Sequence, residues 1–290
     1  MGKGSKKKPT TDIIEVTKQD LERLEKLRPM DDDFMRCIFR DNRPLAEDVL
    51  RIFLEKPELR LQTVETQRDL KRLVGARSLE LDVYCVDTEG KRYDLEVQRA
   101  AAGAGRKRAR YHSSAIDVEN LRAGMEFREL PEANTIFITE TDVVGRGYPR
   151  YHVERTCIET GETWGDGGNI LYVNGSYRAD TELGRLIEDF QNPDPDTMYN
   201  PQMRETVRYF KKTKEGIHKM CEIFDEIRQE GILIGEKRGE KRGMKKGRLR
   251  GAVEIMREDG RSDAEIEQRL MEKYCVSRKK ALKAMATPMA

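Results

Sequence analysis

Two short segments of alternating apolar and polar residues, joined by a tight loop, constrain this chain more than any other feature. Residues 79–85 place Leu, Leu, Val and Cys on one side, and residues 93–98 place Tyr, Leu and Val on one side. A period of two is the pattern of β-strands with one buried face. Gly90, in the three-residue loop between Asp87 and Lys91, supplies the left-handed backbone that such a hairpin needs. The sequence therefore predicts an antiparallel hairpin.

The predicted register brings acidic side chains together on the other face of the hairpin. It sets Asp82 opposite Glu96, and Glu80 and Asp94 fall on the same face. Carboxylates directly across a strand pair repel each other, with Cβ atoms about 4.5–5.5 Å apart. Oxygen ligands on a rigid hairpin suit Mg²⁺ or Mn²⁺, with substrate phosphate oxygens completing the coordination. The alternative is a solvated acidic face whose charges are offset by nearby Lys and Arg.

Composition limits the class of protein. The 290 residues are 37% charged with a net charge of +2, so global charge identifies no partner, although basic residues cluster at 106–110 and 237–250. We expect a cytoplasmic protein, because no apolar run reaches the roughly 18 residues of a membrane span and no signal peptide is present. Five cysteines without CxxC spacing fit a reducing compartment. The histidines, His112, His152 and His218, are far apart and near no cysteine pair, so zinc is not expected.

The rest of the pattern predicts helices around a mixed sheet. Helices are predicted over 18–26, 34–39, 44–53, 106–121, 183–190 and 205–228, and further strands over 61–66, 134–139, 151–157 and 169–174. We therefore expect an α/β (α+β) core, with a mixed sheet flanked by helices and a helical C-terminal extension.

Five segments are predicted along the chain. They are a basic flexible tail with a short helix (1–27), the core (28–185), a helical extension (186–230), a glycine-periodic basic linker (231–251) and a small helical tail (252–290). Glycine costs about 1 kcal/mol per helix position, so a flexible linker is favoured over a self-associating helix. In the tail, Ser262 and Ser277 are predicted helix caps, which fits a small DNA-binding unit or a simple helical hairpin.

The hairpin acids also carry a family resemblance. Asp82 and the run Glu96, Val97 and Gln98 on the next strand resemble the core of the PD-(D/E)XK nuclease superfamily, with glutamine in place of lysine. The E-x-Q form resembles the PD-(D/E)XK nuclease family transposases, which are related to the recombination-promoting nucleases. Further blocks similar to that group lie at 31–39, 64–66, 73–78 and 104–114. The resemblance spans about residues 28–225.

The resemblance implies a restriction-endonuclease-like fold and a Mg²⁺- or Mn²⁺-dependent DNA endonuclease in recombination, mobile-element or defence biology. Asp82 and Glu96 would bind the metal ion with the backbone carbonyl of Val97, and Gln98 would orient water or a phosphate oxygen. The supporting residues it suggests are Asp94 beside the metal ligands, Glu47 as an extra helical acid, and Arg108, Arg110 and Tyr111 as phosphate contacts. Glutamine cannot supply the charge of lysine, so either a nearby arginine replaces it or the site is slow.

Two other functions stay open. A catalytically weak or inactive nuclease fold would bind DNA through its basic segments without cutting it. Alternatively, residues 205–290 would drive formation of a homo-oligomer, with the α/β domain as a scaffold. Both DNA hypotheses predict salt-sensitive binding, but only the nuclease predicts cleavage products that are lost on Asp82→Ala.

Overall fold

The computed structural model describes residues 16–70 and 79–286. The chain divides into two compact units, Met1–Ile223 and Phe224–Ala290. The predicted basic tail before residue 16 and the block at 73–78 lie outside the described residues. Among the residues that are described, no helix combines the length and apolarity needed to cross a bilayer.

A six-stranded mixed sheet forms the centre of the first unit. Its strands are β1 (Leu61–Asp69), β2 (Glu80–Asp87), β3 (Arg92–Gln98), β4 (Ala133–Thr139), β5 (Arg150–Val153) and β6 (Gly168–Asn174). The strand order is β1-β2-β3-β4-β6-β5. Strands β3, β4 and β6 run parallel to one another, and the other neighbours are antiparallel. The predicted α/β class with a mixed sheet is confirmed.

The predicted hairpin is present as β2 and β3. Its register pairs Val83 with Leu95. The loop closes where the Asp87 backbone N–H donates to the Lys91 carbonyl at 3.1 Å. Gly90 has a φ of +87°, the left-handed conformation that the loop requires. The hairpin and its register therefore follow from the local pattern.

The alternative of a solvated acidic face, left open beside the metal site, does not hold for Asp82, Asp94 and Glu96. Asp94 and Glu96 are fully buried, and Asp82 is only 7% exposed. Strand β3 lies inside the sheet with β4 as its parallel neighbour, and strands in such positions are covered on both faces. Helix α4 (Arg106–Asn120) supplies part of the cover, because its Ile116 packs in one cluster with Tyr84 of β2.

Helices flank the sheet of the first unit. They are α1 (Lys18–Lys26), α2 (Asp32–Phe39), α3 (Arg43–Leu54), α4, α5 (Glu182–Gln191) and α6 (Pro201–Lys212). Phe190 of α5 stacks against Phe39 and Phe53, with ring centroids 6.5 and 5.9 Å apart. This aromatic contact joins α2 and α3 to α5. The single helix predicted over 205–228 is two helices, because Thr213 ends α6 and its hydroxyl accepts the Gly216 N–H at 3.0 Å.

Helix α7 (Lys214–Glu258) contains the whole glycine-periodic segment. The favoured interpretation of residues 231–251 as a flexible linker is therefore wrong. Most residues between the glycines are Glu, Lys and Arg, which are strong helix formers. A Cβ placed at Gly235, Gly239, Gly243 or Gly247 would meet no described atom within 4 Å. Within the described chain, these glycines are not needed for a close approach.

Two short helices follow α7 in the second unit. They are α8 (Asp263–Tyr274) and α9 (Arg278–Met285), and both predicted caps lie at the expected helix starts. Ser262 forms a capping box with Glu265, whereas the Ser277 side chain makes no capping hydrogen bond. The small helical tail is therefore an ordered part of this unit.

Candidate metal centre

Asp82 and Glu96 are cross-strand neighbours at the point where backbone pairing between β2 and β3 stops. The paired register ends at Val83 and Leu95. Beyond it, the Asp82 N–H donates to Glu96 Oε1 at 3.1 Å, and the Val97 N–H donates to Asp82 Oδ2 at 3.2 Å. Each carboxylate therefore replaces a backbone acceptor of the opposite strand.

A buried cluster of potential metal ligands lies beside this point. One side-chain atom from each of Asp94, Glu96 and His112 lies within 4.8 Å of the other two. His112 Nδ1 is 3.2 Å from Asp94 Oδ2 and 3.6 Å from Glu96 Oε1. Sequence analysis gave no role to this histidine and only a supporting role to Asp94. The sequence feature that could have pointed to His112 is its position, one helical turn after Arg108 on the helix that follows β3.

Arg108 fixes the orientation of this histidine. Its Nε–H donates to His112 Nε2 at 3.2 Å, and its Nη2 lies 3.3 Å from Glu96 Oε2. Because His112 Nε2 accepts this bond, a neutral imidazole carries its proton on Nδ1 and donates it towards the carboxylates. Arg108, predicted to contact phosphate, thus lies at the site. Arg110 is exposed and about 200° around the helix from Arg108, and Tyr111 is 41% exposed.

A second arginine approaches the site from α2. Arg36 Nη2 is 3.4 Å from Asp82 Oδ1, and Arg36 Nη1 is 3.8 Å from Glu80 Oε1. The Nε atom of this guanidinium is buried and has no hydrogen-bond partner among the described residues. Asp32 lies one turn earlier on the same helix and adds negative charge near both groups. Arg36 was not singled out by sequence analysis.

Burial strongly perturbs the titration of the acids. Burial raises the pKa of Asp94 well above its usual value, and the charge of Asp82 raises it further. Burial likewise raises the pKa of Glu96 well above normal, with added repulsion from Asp94 and Asp82. The pKa of Asp82 is also raised by burial, although Arg36 opposes the shift. Burial lowers the pKa of His112. Burial therefore disfavours the charged form of each of these four side chains.

The donor set fits a divalent cation. Asp94 Oδ1 is buried and has no hydrogen-bond partner within the described part of the chain, which is a costly arrangement for a carboxylate oxygen. Carboxylate oxygens suit Mg²⁺ and Mn²⁺, and an imidazole nitrogen suits transition metals. In a β-strand, the N–H and C=O of one residue face the same neighbouring strand. The Val97 carbonyl therefore faces the Asp82 side of the site, where its N–H already bonds.

Gln98 lies at the end of β3, two residues beyond Glu96. It borders a groove of about 770 Å³ that also touches Val97, Arg99 and the loop before α2. Gly103 is packed against its side chain, because a Cβ there would lie 2.0 Å from Gln98 Oε1. The predicted water-orienting residue thus borders a space that is open to a ligand.

Glu47 does not belong to this cluster. Its carboxylate pairs with Arg51 and accepts the Leu61 N–H at 2.9 Å. Leu61 pairs with Asp87, at the opposite end of β2 from Asp82. Five residues of strand correspond to roughly 17 Å. Its prediction as an extra metal ligand is corrected, because its two oxygens join α3 to the start of β1.

Residues 40–174 match the family model of the PD-(D/E)XK nuclease family transposases. Over this segment, slightly less than half of the chain, the sequence is similar to that family. The match includes all six strands and helix α4, so the acidic cluster and His112 lie inside the matched segment, whereas Arg36 precedes it. Comparisons with curated proteins and with solved structures give no significant match. This similarity supports a nuclease-type function and implies a DNA substrate. Nucleases of this family generally use divalent metals.

Proposed function

We propose that this chain is a Mg²⁺- or Mn²⁺-dependent endonuclease that hydrolyses phosphodiester bonds in DNA. The observation that carries the proposal is the buried cluster of Asp94, Glu96 and His112 beside Asp82, inside a domain of a nuclease family. A fold that buries several acids with raised pKa values loses stability unless a cation compensates them. A metal site explains that arrangement better than a structural role does.

In this proposal Asp82, Glu96 and the Val97 carbonyl hold the metal ion, with Asp94 as a further oxygen donor. A divalent cation bound there would lower the pKa of a coordinated water and stabilise negative charge on the phosphate. His112 keeps Asp94 and Glu96 in place through its Nδ1 proton, and Arg108 fixes the tautomer of the ring. The imidazole is a positioning group, since its other nitrogen is occupied by Arg108.

Two arginines supply the positive charge that Gln98 does not. The Arg36 guanidinium lies against Asp82, and that of Arg108 lies against Glu96. Substrate phosphate would enter with its own negative charge, and preorganised cations near the reacting phosphate stabilise its transition state. Gln98 would orient the attacking water or a phosphate oxygen through its amide. Arginines from two helices would therefore supply the positive charge that lysine provides in the wider superfamily.

Nicking of supercoiled plasmid tests the proposal directly. The full chain is incubated with plasmid in Mg²⁺, Mn²⁺ or EDTA, together with Asp82→Ala and Glu96→Ala variants. The matched control is Glu47→Gln, another acid of the same unit whose contacts are structural. We expect nicking that requires the metal, disappears in both alanine variants and persists in Glu47→Gln.

The competing function is DNA binding on a weak or inactive nuclease fold. Glutamine at position 98 is the observation that favours it, because the amide brings no charge to the attacking water. Absence of nicking, or nicking that survives both alanine substitutions, would support this alternative. Salt-sensitive DNA binding without cleavage would then be the remaining activity.

Several finer expectations remain predictions. They are a role in recombination, mobile-element or defence biology, a cytoplasmic location, and a homo-oligomer formed through the C-terminal helices. The choice between Mg²⁺ and Mn²⁺ is open as well, since carboxylate and carbonyl oxygens suit both ions.

A further inference from the structure

The second unit ends in a three-helix cluster with a small apolar core. The buried side chains come from α7, α8, α9 and the turn between the last two, namely Leu249, Val253, Met256, Ile266, Leu270, Val276 and Ala281. This core is separate from the cluster of acids in the first unit. It therefore needs an explanation of its own.

The turn between α8 and α9 has the form of a helix-turn-helix connection. Three residues separate Tyr274, the end of α8, from Arg278, the start of α9. Cys275 has a left-handed backbone with φ 49° and ψ 47°, the conformation that glycine often provides at such turns. Val276 is buried in the core. The turn is thus anchored by its middle residue.

Two arginines hold α9 against the other helices at both of its ends. Arg278 Nε lies 2.6 Å from Glu267 Oε1 of α8. Arg257 of α7 lies 3.4 Å from Asp263 Oδ1 at the start of α8, and it donates to the Met285 carbonyl at 3.3 Å. Together with the core, these contacts define the orientation of α9 on its support.

The outward face of α9 is basic and contains no acidic residue. Lys279, Lys280 and Lys283 are exposed, and Leu282 is 45% exposed between them. Only Ala281 is fully buried, and its small side chain allows the helix to lie close to the core. A short basic helix presented on two supporting helices is the arrangement that places a recognition helix in the major groove.

We propose that residues 249–286 form a helix-turn-helix module that binds double-stranded DNA with α9 in the major groove. Lys279 and Lys280 contact phosphates, and Leu282 contacts apolar base edges such as the thymine methyl group. This binding site goes beyond the proposed cleavage reaction. It does not depend on that reaction, since no residue of the acidic cluster takes part.

The test measures binding of the full chain to a duplex oligonucleotide by fluorescence anisotropy in EDTA, at several salt concentrations. The variant is Lys279→Ala with Lys280→Ala, and the matched control is Lys245→Ala with Lys246→Ala, an exposed pair on α7. A third protein carries Lys279→Arg and Lys280→Arg. Because each phosphate contact contributes about 0.9 to the salt slope, we expect the α9 alanine pair to lower that slope by about two. The control pair should change it less, and the arginine pair should retain it.

Equal weakening by both alanine pairs would indicate diffuse electrostatic attraction and would overturn the proposal. An unchanged slope in the α9 variant would overturn it as well, as would equal affinity for single-stranded DNA of the same length. Glu47→Gln, at an acid whose contacts are structural, is expected to bind duplex DNA like the wild type. If plasmid nicking is never found but α9-dependent binding is, the nuclease proposal fails while this one stands.

Discussion

His112 Nδ1 lies 3.2 Å from Asp94 Oδ2, and both side chains are fully buried. The histidine belongs to α4 and the aspartate to β3, so this one contact joins the helix to the strand that carries Glu96. A buried hydrogen bond to an acid with a raised pKa is sensitive to any change of donor. We therefore expect a change at this pair to affect both the stability of the fold and the proposed metal binding.

Replacing His112 with alanine should weaken both properties. The substitution leaves the Asp94 carboxyl without its donor and opens a cavity, at a cost of about 2–4 kcal/mol in the free energy of unfolding. We expect Mn²⁺ affinity to fall as well, whereas His112→Asn should keep part of it through the amide donor. Urea unfolding and Mn²⁺ titration measure the two effects. His152→Ala, an exposed histidine of β5, is the control that should change neither.

The pH dependence of stability should report the buried glutamate. Burial raises the pKa of Glu96 above its ordinary 4.5, so the folded state binds its proton more tightly than the unfolded state. The free energy of unfolding of the metal-free protein should therefore fall as pH rises from about 4.5 through the folded pKa. Glu96→Gln should remove this contribution. Between pH 4 and pH 8 its free energy of unfolding should therefore fall less than that of the wild type.

Addition of metal should stabilise the wild type more than Glu96→Gln at pH 8. A ligand present at 100 times its dissociation constant stabilises a folded protein by about 2.7 kcal/mol. Wild type should gain about this amount from Mn²⁺ at pH 8, and Glu96→Gln should gain little. Thermal unfolding with and without Mn²⁺ shows the difference, and an equal gain in both proteins would exclude Glu96 as a ligand.

Arg36 should control the acid limb of the pH–rate profile. Its guanidinium lowers the pKa of Asp82 against the effect of burial, so Arg36→Ala should move the acid limb to higher pH. The loss of a preorganised charge should also lower kcat about 100-fold. Arg36→Lys should leave the limb close to that of wild type.

The control for this prediction is Arg40→Ala, an exposed arginine immediately after α2. It should change neither kcat nor the profile. A profile that is identical in wild type and Arg36→Ala would show that Arg36 does not act on Asp82 during the reaction.

Substitutions at Gly103 and Gly90 should separate effects on DNA cleavage from effects on stability. A Cβ at Gly103 would lie 2.0 Å from Gln98 Oε1, so Gly103→Ala should displace the flexible amide and lower plasmid cleavage with a small effect on unfolding. Gly90 has a φ of +87° and open space around it. Gly90→Ala should therefore cost about 1 kcal/mol of stability while cleavage persists. Melting temperatures and nicking rates of the two variants should show opposite patterns.

The local sequence pattern determined much of the secondary structure of this protein. The alternation in 79–85 and 93–98, with glycine at position 90, was sufficient to predict the hairpin and its register. The residue spacing likewise predicted the helix Lys18–Lys26 and placed Asp82 beside Glu96. These features depend on neighbours in sequence and on the period of two, which a single chain displays directly.

Tertiary structure decided how the site is completed. His112 of α4 contacts Asp94, and Arg36 of α2 contacts Asp82, and no local sequence pattern records those contacts. Glu47 has the same chemistry as Glu96, but packing directs it to the far end of the sheet. The acidic face of the hairpin is buried because β3 is an interior strand. Burial, and with it every raised pKa of the site, is a property of the assembled layers rather than of any segment alone.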